Sequence, residues 1–119
     1  MPHIPVLLHE VVNILDPKPG EFFVDGTLGA GGYASGILNR LGGSGMFLGI
    51  DWDERMLAGA RERIASFAGP GVELTLERGN YADLPNIIDR HGFGRADGIV
   101  LDLGFASDHV SSSGRGFSF

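Results

Sequence analysis

Cysteine, long apolar runs and positive charge are absent or scarce in this 119-residue sequence, and each absence excludes a class of protein. Without cysteine there are no disulfides or thiolate metal sites, which suits a reducing compartment. No apolar run is long enough to span a bilayer, and the N-terminus lacks the flanks of a signal peptide. We therefore expect a cytoplasmic protein without a membrane partner. The net charge of −6 argues against this segment binding a nucleic acid by itself.

The residues that are present describe a folded domain rich in tight turns. Hydrophobic residues make up 43% of the chain and charged residues 20%, a balance typical of globular rather than disordered proteins. The 20 glycines are far more than ordinary usage, so many backbone turns depend on them. No internal repeat or linker interrupts the pattern, and we predict a single domain over residues 1–119.

Apolar periodicity predicts helices and strands that alternate along the chain. Apolar runs predict strands over residues 22–25, 46–51, 72–76 and 98–103. Helical spacing predicts helices over residues 4–15, 33–41, 53–67 and 83–91. This alternation predicts an α/β fold with a parallel sheet covered by helices on both faces. The polar, glycine-rich residues 104–119 are predicted to form a loop.

The strongest candidate for a ligand site is the turn after the first strand, FFVDGTLGAGG at residues 22–32. A buried strand that opens into a glycine-rich turn before a helix is how nucleotide-like cofactors are usually held. The alternatives are a tight turn without a ligand and a dinucleotide site, because Gly29, Gly31 and Ala34 fit the GxGxxA pattern. Asp25 favours another cofactor, since its carboxylate would repel a pyrophosphate but can bind the ammonium group of S-adenosylmethionine.

Acidic and aromatic residues follow the other strands, and parallel strands bring their carboxyl ends to one edge of the sheet. Asp51 can accept hydrogen bonds from both hydroxyls of a ribose, and its alternative role is to cap the next helix. Asn80 and Tyr81 offer an amide and a ring to an adenine, although such a ring can also simply cover the core. Asp102 can orient an exocyclic amine for methyl transfer, and the alternative is a structural cap or salt bridge.

Spacing argues against two other kinds of chemistry. The four histidines do not have the spacing of a metal site, so we expect no bound metal. Ser107, Asp108 and His109 are the residue types of a hydrolytic triad, but neighbours in sequence have the wrong geometry for one. The sequence also lacks a GxSxG motif. A hydrolase is therefore disfavoured.

Six motifs follow one another in order from residue 3 to residue 119: HIPVLLHEVV, VDGTLGAGGY, GIDWDERMLAGARER, GNYADL, DGIVLDLG and RGFSF. Together they resemble the motifs of the MraW methylases. The resemblance implies the Rossmann-like fold of S-adenosylmethionine-dependent methyltransferases. It also implies an enzyme that methylates N4 of a cytidine in 16S ribosomal RNA. The implied partner is that RNA or the small ribosomal subunit. Asp25 and Gly29 are candidate cofactor-binding residues from the pattern of the turn. The resemblance adds the residues that match the family's cofactor pocket: Gly31, Gly32, Tyr33, Asp51, Tyr81, Asp102 and His109. Asp102 is also the catalytic candidate.

The chain departs from the family pattern in side chains and in length. The family usually has histidine at Tyr33, phenylalanine at Tyr81 and serine-serine-proline-glutamine at residues 106–109. Its members are longer, with an inserted helical domain and further sheet strands after RGFSF, which we expect to be missing here. The fourth strand would then be an exposed edge that can pair with a second copy. The alternative function is a catalytically inactive, truncated binding or assembly module.

Overall fold

The computed structural model describes residues 8–29 and 31–103, which form a four-stranded parallel sheet with helices on both faces. The helices are α1 (Leu8–Leu15), α2 (Gly32–Leu41), α3 (Glu54–Ile64) and α4 (Leu84–His91). The strands are β1 (Phe22–Asp25), β2 (Ser44–Asp51), β3 (Gly71–Arg78) and β4 (Gly98–Val100). Short 3₁₀ turns follow α3 at Ala65–Phe67 and precede α4 at Tyr81–Asp83. The predicted α/β fold is confirmed.

The strand order is β3-β2-β1-β4, so the direction of winding reverses between β1 and β4. The central strand β1 is paired on both sides, with Val24 beside Leu48 of β2 and Ile99 of β4. All four residues of β1 are buried, because helices cover both faces of the parallel sheet. In the described part of the chain β4 lies at one edge of the sheet. Its pairing with a second copy stays a prediction.

Alternating side chains along β1 and β2 divide the interior into two cores. Phe23 and Phe47 belong to the core that is also formed by α1, α2 and α3. Val24 and Leu48 belong to the core on the other face, which includes buried residues of α4. The buried residues of α2 lie on one side of the helix and are Ala34, Ile37, Leu38 and Leu41.

Two apolar side chains lie away from the buried faces of their helices. Ile14 in α1 is 82% exposed, because two residues along a helix turn it to the side opposite the buried Val12. Met56 in α3 is also exposed, although helical spacing predicts that it faces inward with Leu57, Ala60 and Ile64. It lies on the flank of the buried face formed by Leu57, Ala60 and Ile64. Apolar character alone therefore overestimates the core of both helices.

Three strands have bounds that differ from the predicted ones. β2 begins at Ser44 instead of residue 46, where it pairs with Gly71 at the start of β3. β3 continues past residue 76 to Arg78, because its pairing with β2 extends until Asp51 lies beside Arg78. β4 ends at Val100 instead of residue 103, because the main-chain N–H of Asp102 donates to a side chain of the turn after β1. The predicted helix start at residue 4 and the predicted loop over residues 104–119 lie outside the described residues.

Candidate functional site

A cleft of about 300 Å³ opens at the carboxyl ends of the strands. Its position includes the point between β1 and β4 where the strand order reverses, which is where open α/β sheets bind ligands. Segments after all four strands contribute to it. The lining residues are Gly26, Thr27, Gly29, Asp51, Trp52, Gly79, Asn80, Tyr81 and Asp102.

The glycine turn after β1 needs glycine at two positions for different reasons. Gly29 has φ +53° and lines the cleft, so its left-handed backbone presents a main-chain surface to a ligand. Gly31 has φ +86°, and a Cβ there would lie 2.8 Å from Cγ2 of Ile64. It does not line the cleft, and its role is to let α2 begin close against α3. Gly32, the first residue of α2, is exposed, and no described heavy atom comes within 4 Å of a Cβ built on it.

Both carboxylate oxygens of Asp51 accept main-chain hydrogen bonds at the end of β2. Oδ2 accepts from the N–H of Gly29 at 2.8 Å, and Oδ1 accepts from the N–H of Asp53 at 2.8 Å. The helix cap that was the alternative role for Asp51 belongs to Asp53, whose carboxylate accepts from the N–H of Arg55 at 2.9 Å. Because a carboxylate oxygen has two lone pairs, Asp51 can still accept from a ligand.

Asp25 is completely buried behind the glycine turn and does not line the cleft. Its Oδ1 accepts from the N–H of Thr27 at 3.0 Å and from the Thr27 hydroxyl at 3.4 Å. Its Oδ2 has no hydrogen-bond partner among the residues that the structure describes. Burial raises the pKa of Asp25 to about 7; the Thr27 hydrogen bonds oppose this rise, and the charges of Asp102 and Asp51 add to it.

Asp102 follows β4 and lies exposed at the cleft. Its main-chain N–H donates to the hydroxyl of Thr27 at 2.6 Å, which ties the end of β4 to the turn after β1. Tyr33, in the first turn of α2, does not line the cleft. Burial raises the pKa of its phenol, and the charges of Asp102 and Asp25 raise it further, so Tyr33 lies within electrostatic reach of both carboxylates.

Two exposed aromatic rings border the cleft. Tyr81, 40% exposed, follows Asn80, whose side-chain oxygen caps the 3₁₀ turn by accepting from the N–H of Ala82 at 2.8 Å. Trp52 is 66% exposed, and its ring lies 5.3 Å from the guanidinium carbon of Arg78. The Nε of Arg78 also donates to the carbonyl of Trp52 at 3.1 Å. These contacts with Arg78 hold Trp52 beside the cleft although little of its ring is buried.

The cleft brings together four of the predicted site residues: Gly29, Asp51, Tyr81 and Asp102. Four others do not line it: Asp25, Gly31, Gly32 and Tyr33. His109 lies outside the described residues. Sequence reasoning assigned no role to Gly26, Thr27 or Trp52. The signal for Trp52 was available, because it is the single tryptophan of the chain and directly follows Asp51.

Metal-binding clusters and membrane-spanning helices are both absent from the described part of the chain. Within residues 8–29 and 31–103, no group of three or more His, Asp or Glu side chains could hold a metal ion. In the same ranges, no helix has both the length and the apolar character needed to cross a membrane. The cytoplasmic location stays a prediction.

Sequence comparison relates the whole chain to one family. The profile of the MraW methylase family matches residues 1–119. Ribosomal RNA small subunit methyltransferase H of Dictyoglomus thermophilum is 47% identical over 117 residues, covering 98% of this chain and 38% of that protein. The same enzyme of Syntrophobacter fumaroxidans is 40% identical, covering 98% of this chain and 36% of that protein. The chain therefore spans a little over a third of the length of these relatives.

Solved structures share the fold. TrmN from Thermus thermophilus superimposes with a TM-score of 0.65 at 28% identity, covering 82% of this chain and 27% of that one. A putative rRNA methylase from Clostridium thermocellum, at 18% identity, shows the fold alone, with a TM-score of 0.66 over 90% of this chain and 57% of that one. The sheet and its helices are thus a Rossmann-like methyltransferase fold. With the match of the family profile to residues 1–119, we conclude that this chain belongs to the MraW methylase family.

Proposed function

We propose that the cleft holds S-adenosylmethionine and that the protein transfers its methyl group to N4 of a cytidine in 16S ribosomal RNA. The observation that carries the proposal is the carboxylate of Asp51 at the end of β2, in a cleft that is also bordered by the rings of Trp52 and Tyr81. Membership of a methylase family and the names of the relatives, which are ribosomal RNA small subunit methyltransferases, support methylation of ribosomal RNA.

The residues of the cleft fit the nucleoside part of the cofactor. Each oxygen of Asp51 accepts one main-chain N–H and keeps a lone pair for a ribose hydroxyl. Trp52 and Tyr81 are exposed aromatic rings on which an adenine can stack. At Gly26 a Cβ would lie 2.5 Å from Cδ2 of Leu101, so this part of the cleft wall has no room for a side chain.

The charge at the strand ends favours a cationic cofactor. Asp51 and Asp25 are the last residues of β2 and β1, and Asp102 follows the adjacent strand β4. The charges of Asp102 and Asp51 raise the pKa of Asp25. A ligand that carries ammonium and sulfonium groups would reduce this repulsion, whereas a diphosphate would increase it. Asp25 is buried and does not line the cleft, so it would act on a ligand there through charge and not through contact. This favours S-adenosylmethionine over a dinucleotide, the alternative that the GxGxxA pattern leaves open.

Asp102 is the residue that we propose to orient the substrate. When bound, S-adenosylmethionine supplies an electrophilic methyl group. The carboxylate of Asp102 is exposed in the cleft and can accept a hydrogen bond from the exocyclic amine of a cytosine. That bond directs the amine nitrogen towards the methyl group, a role that depends on position more than on proton transfer.

The proposed reaction is tested by transfer of a labelled methyl group to isolated small ribosomal subunits. This chain is compared with the full-length Dictyoglomus thermophilum relative, and mass spectrometry identifies the methylated nucleoside. Label at N4 of a cytidine in both reactions supports the proposal. Cofactor binding by this chain without transfer, while the relative is active, would instead support the inactive binding module.

A further inference from the structure

The side chain of Thr27 lies where β1 and β4 separate. The last main-chain contact between the two segments is the N–H of Gly26, which donates to the carbonyl of Val100 at 2.9 Å. Beyond it, the chain after β1 turns towards α2. The N–H of Asp102 then donates to the hydroxyl of Thr27 at 2.6 Å. A side-chain oxygen has taken the place of the main-chain acceptor that a longer ladder would provide.

The hydroxyl of Thr27 also contacts the carboxylate of Asp25. It donates to Oδ1 of Asp25 at 3.4 Å, and the N–H of Thr27 donates to the same oxygen at 3.0 Å. A hydroxyl can donate one hydrogen bond and accept another, so both contacts exist together. Because Asp25 is completely buried, the anchor at this end is fixed in the protein interior.

We infer that Thr27 is a positioning residue, whose hydroxyl connects the buried Asp25 to the backbone of Asp102 and so sets where the Asp102 carboxylate lies in the cleft. The inference rests on the proposed function only for the role of Asp102 in orienting a substrate. The contact itself can be measured without any ligand. The hydroxyl is the essential group: serine keeps it, whereas valine keeps the shape of threonine and removes it.

The test compares Thr27→Val and Thr27→Ser, with Thr75→Val as the matched control because Thr75 lies in β3 and does not line the cleft. Hydrogen exchange measured by NMR follows the amide of Asp102, and the amide of Gly26 is the internal control because its acceptor is a carbonyl. We expect the Asp102 amide to exchange roughly ten-fold faster in Thr27→Val. Thr27→Ser and Thr75→Val should remain close to the unsubstituted chain.

The second readout is the transfer of a labelled methyl group to isolated small ribosomal subunits, which gives kcat, with the affinity for S-adenosylmethionine measured separately. We expect Thr27→Val to weaken methyl transfer through kcat more than through cofactor affinity, and Thr27→Ser to restore it. An unchanged Asp102 amide in a folded Thr27→Val variant overturns the inference, and so does faster exchange without any change in kcat. If the unsubstituted chain binds no cofactor, the proposed function fails, while the exchange of the Asp102 amide still decides the contact.

Discussion

The main-chain N–H of Gly29 donates a hydrogen bond of 2.8 Å to the carboxylate of Asp51, and this contact joins the glycine turn after β1 to the end of β2. The acidic residue proposed to bind the ribose therefore also holds the turn that forms the opposite part of the cleft. Recognition of the cofactor and the conformation of the turn depend on one side chain, so we expect a substitution at Asp51 to change both binding and the turn.

Adjacent glycines in the turn should respond differently to alanine. Gly31→Ala places a Cβ at φ +86° and 2.8 Å from Ile64, and we expect a loss of roughly 1–3 kcal/mol in the free energy of unfolding. Gly32→Ala is the matched control because it meets no described atom within 4 Å and adds a good helix former at the start of α2. Urea unfolding of both variants measures the difference. Equal stability would contradict the close packing of α2 on α3.

The buried carboxyl of Asp25 should make the protein less stable as the pH rises. Its pKa in the folded chain is about 7, above the ordinary 3.8. Between these two values the folded state holds a proton that the unfolded state has lost. Stability is therefore lost progressively between about pH 4 and pH 7, and the penalty is fully present above pH 7. This loss in the free energy of unfolding amounts to a few kcal/mol.

Asp25→Asn removes this titration while keeping the shape of the neutral acid. We expect the variant to show a flatter dependence of unfolding free energy on pH, and to be more stable than the unsubstituted chain at pH 8. Asp53→Asn is the control because Asp53 is exposed and remains a possible helix cap as asparagine. Urea unfolding at pH 5 and pH 8 measures the unfolding free energy of both variants and of the unsubstituted chain. A profile for Asp25→Asn that parallels the unsubstituted chain would show that Asp25 is ionised when buried.

Trp52 provides an internal reporter of the cleft. It is the single tryptophan of the chain, is 66% exposed and lines the cleft beside Asp51. If an adenine stacks on its ring, the fluorescence of the protein changes in intensity and wavelength as cofactor is added, because the ring leaves water. Titration with S-adenosylmethionine should give a saturable change. No change at a concentration where calorimetry shows binding would place the adenine away from Trp52.

The strands and the acidic residues that follow them were predictable because both depend on local sequence. Short apolar runs that end in Asp25 and Asp51 mark buried parallel strands, and topology then brings the strand ends together. The role of Thr27 was not predictable, because its partner Asp102 is 75 residues away in the chain. The position of Asp25 outside the cleft lining was missed for a similar reason, because it depends on tertiary packing around the end of β1. Trp52 has no periodic signal, since it is an exposed residue held by Arg78, and only its place directly after Asp51 pointed to the cleft.

The most direct test of the cofactor site is calorimetric titration of S-adenosylmethionine into the chain and into two variants of neighbouring aspartates. Asp51→Ala removes the proposed ribose acceptor, whereas Asp53→Ala removes the cap of α3, at a cost of about 1 kcal/mol in stability, and leaves the cleft lining intact. We predict saturable binding to the unsubstituted chain and to Asp53→Ala, and affinity at least about ten-fold weaker for Asp51→Ala. Equal affinity of folded Asp51→Ala, or no binding to the unsubstituted chain at any accessible concentration, would contradict the account.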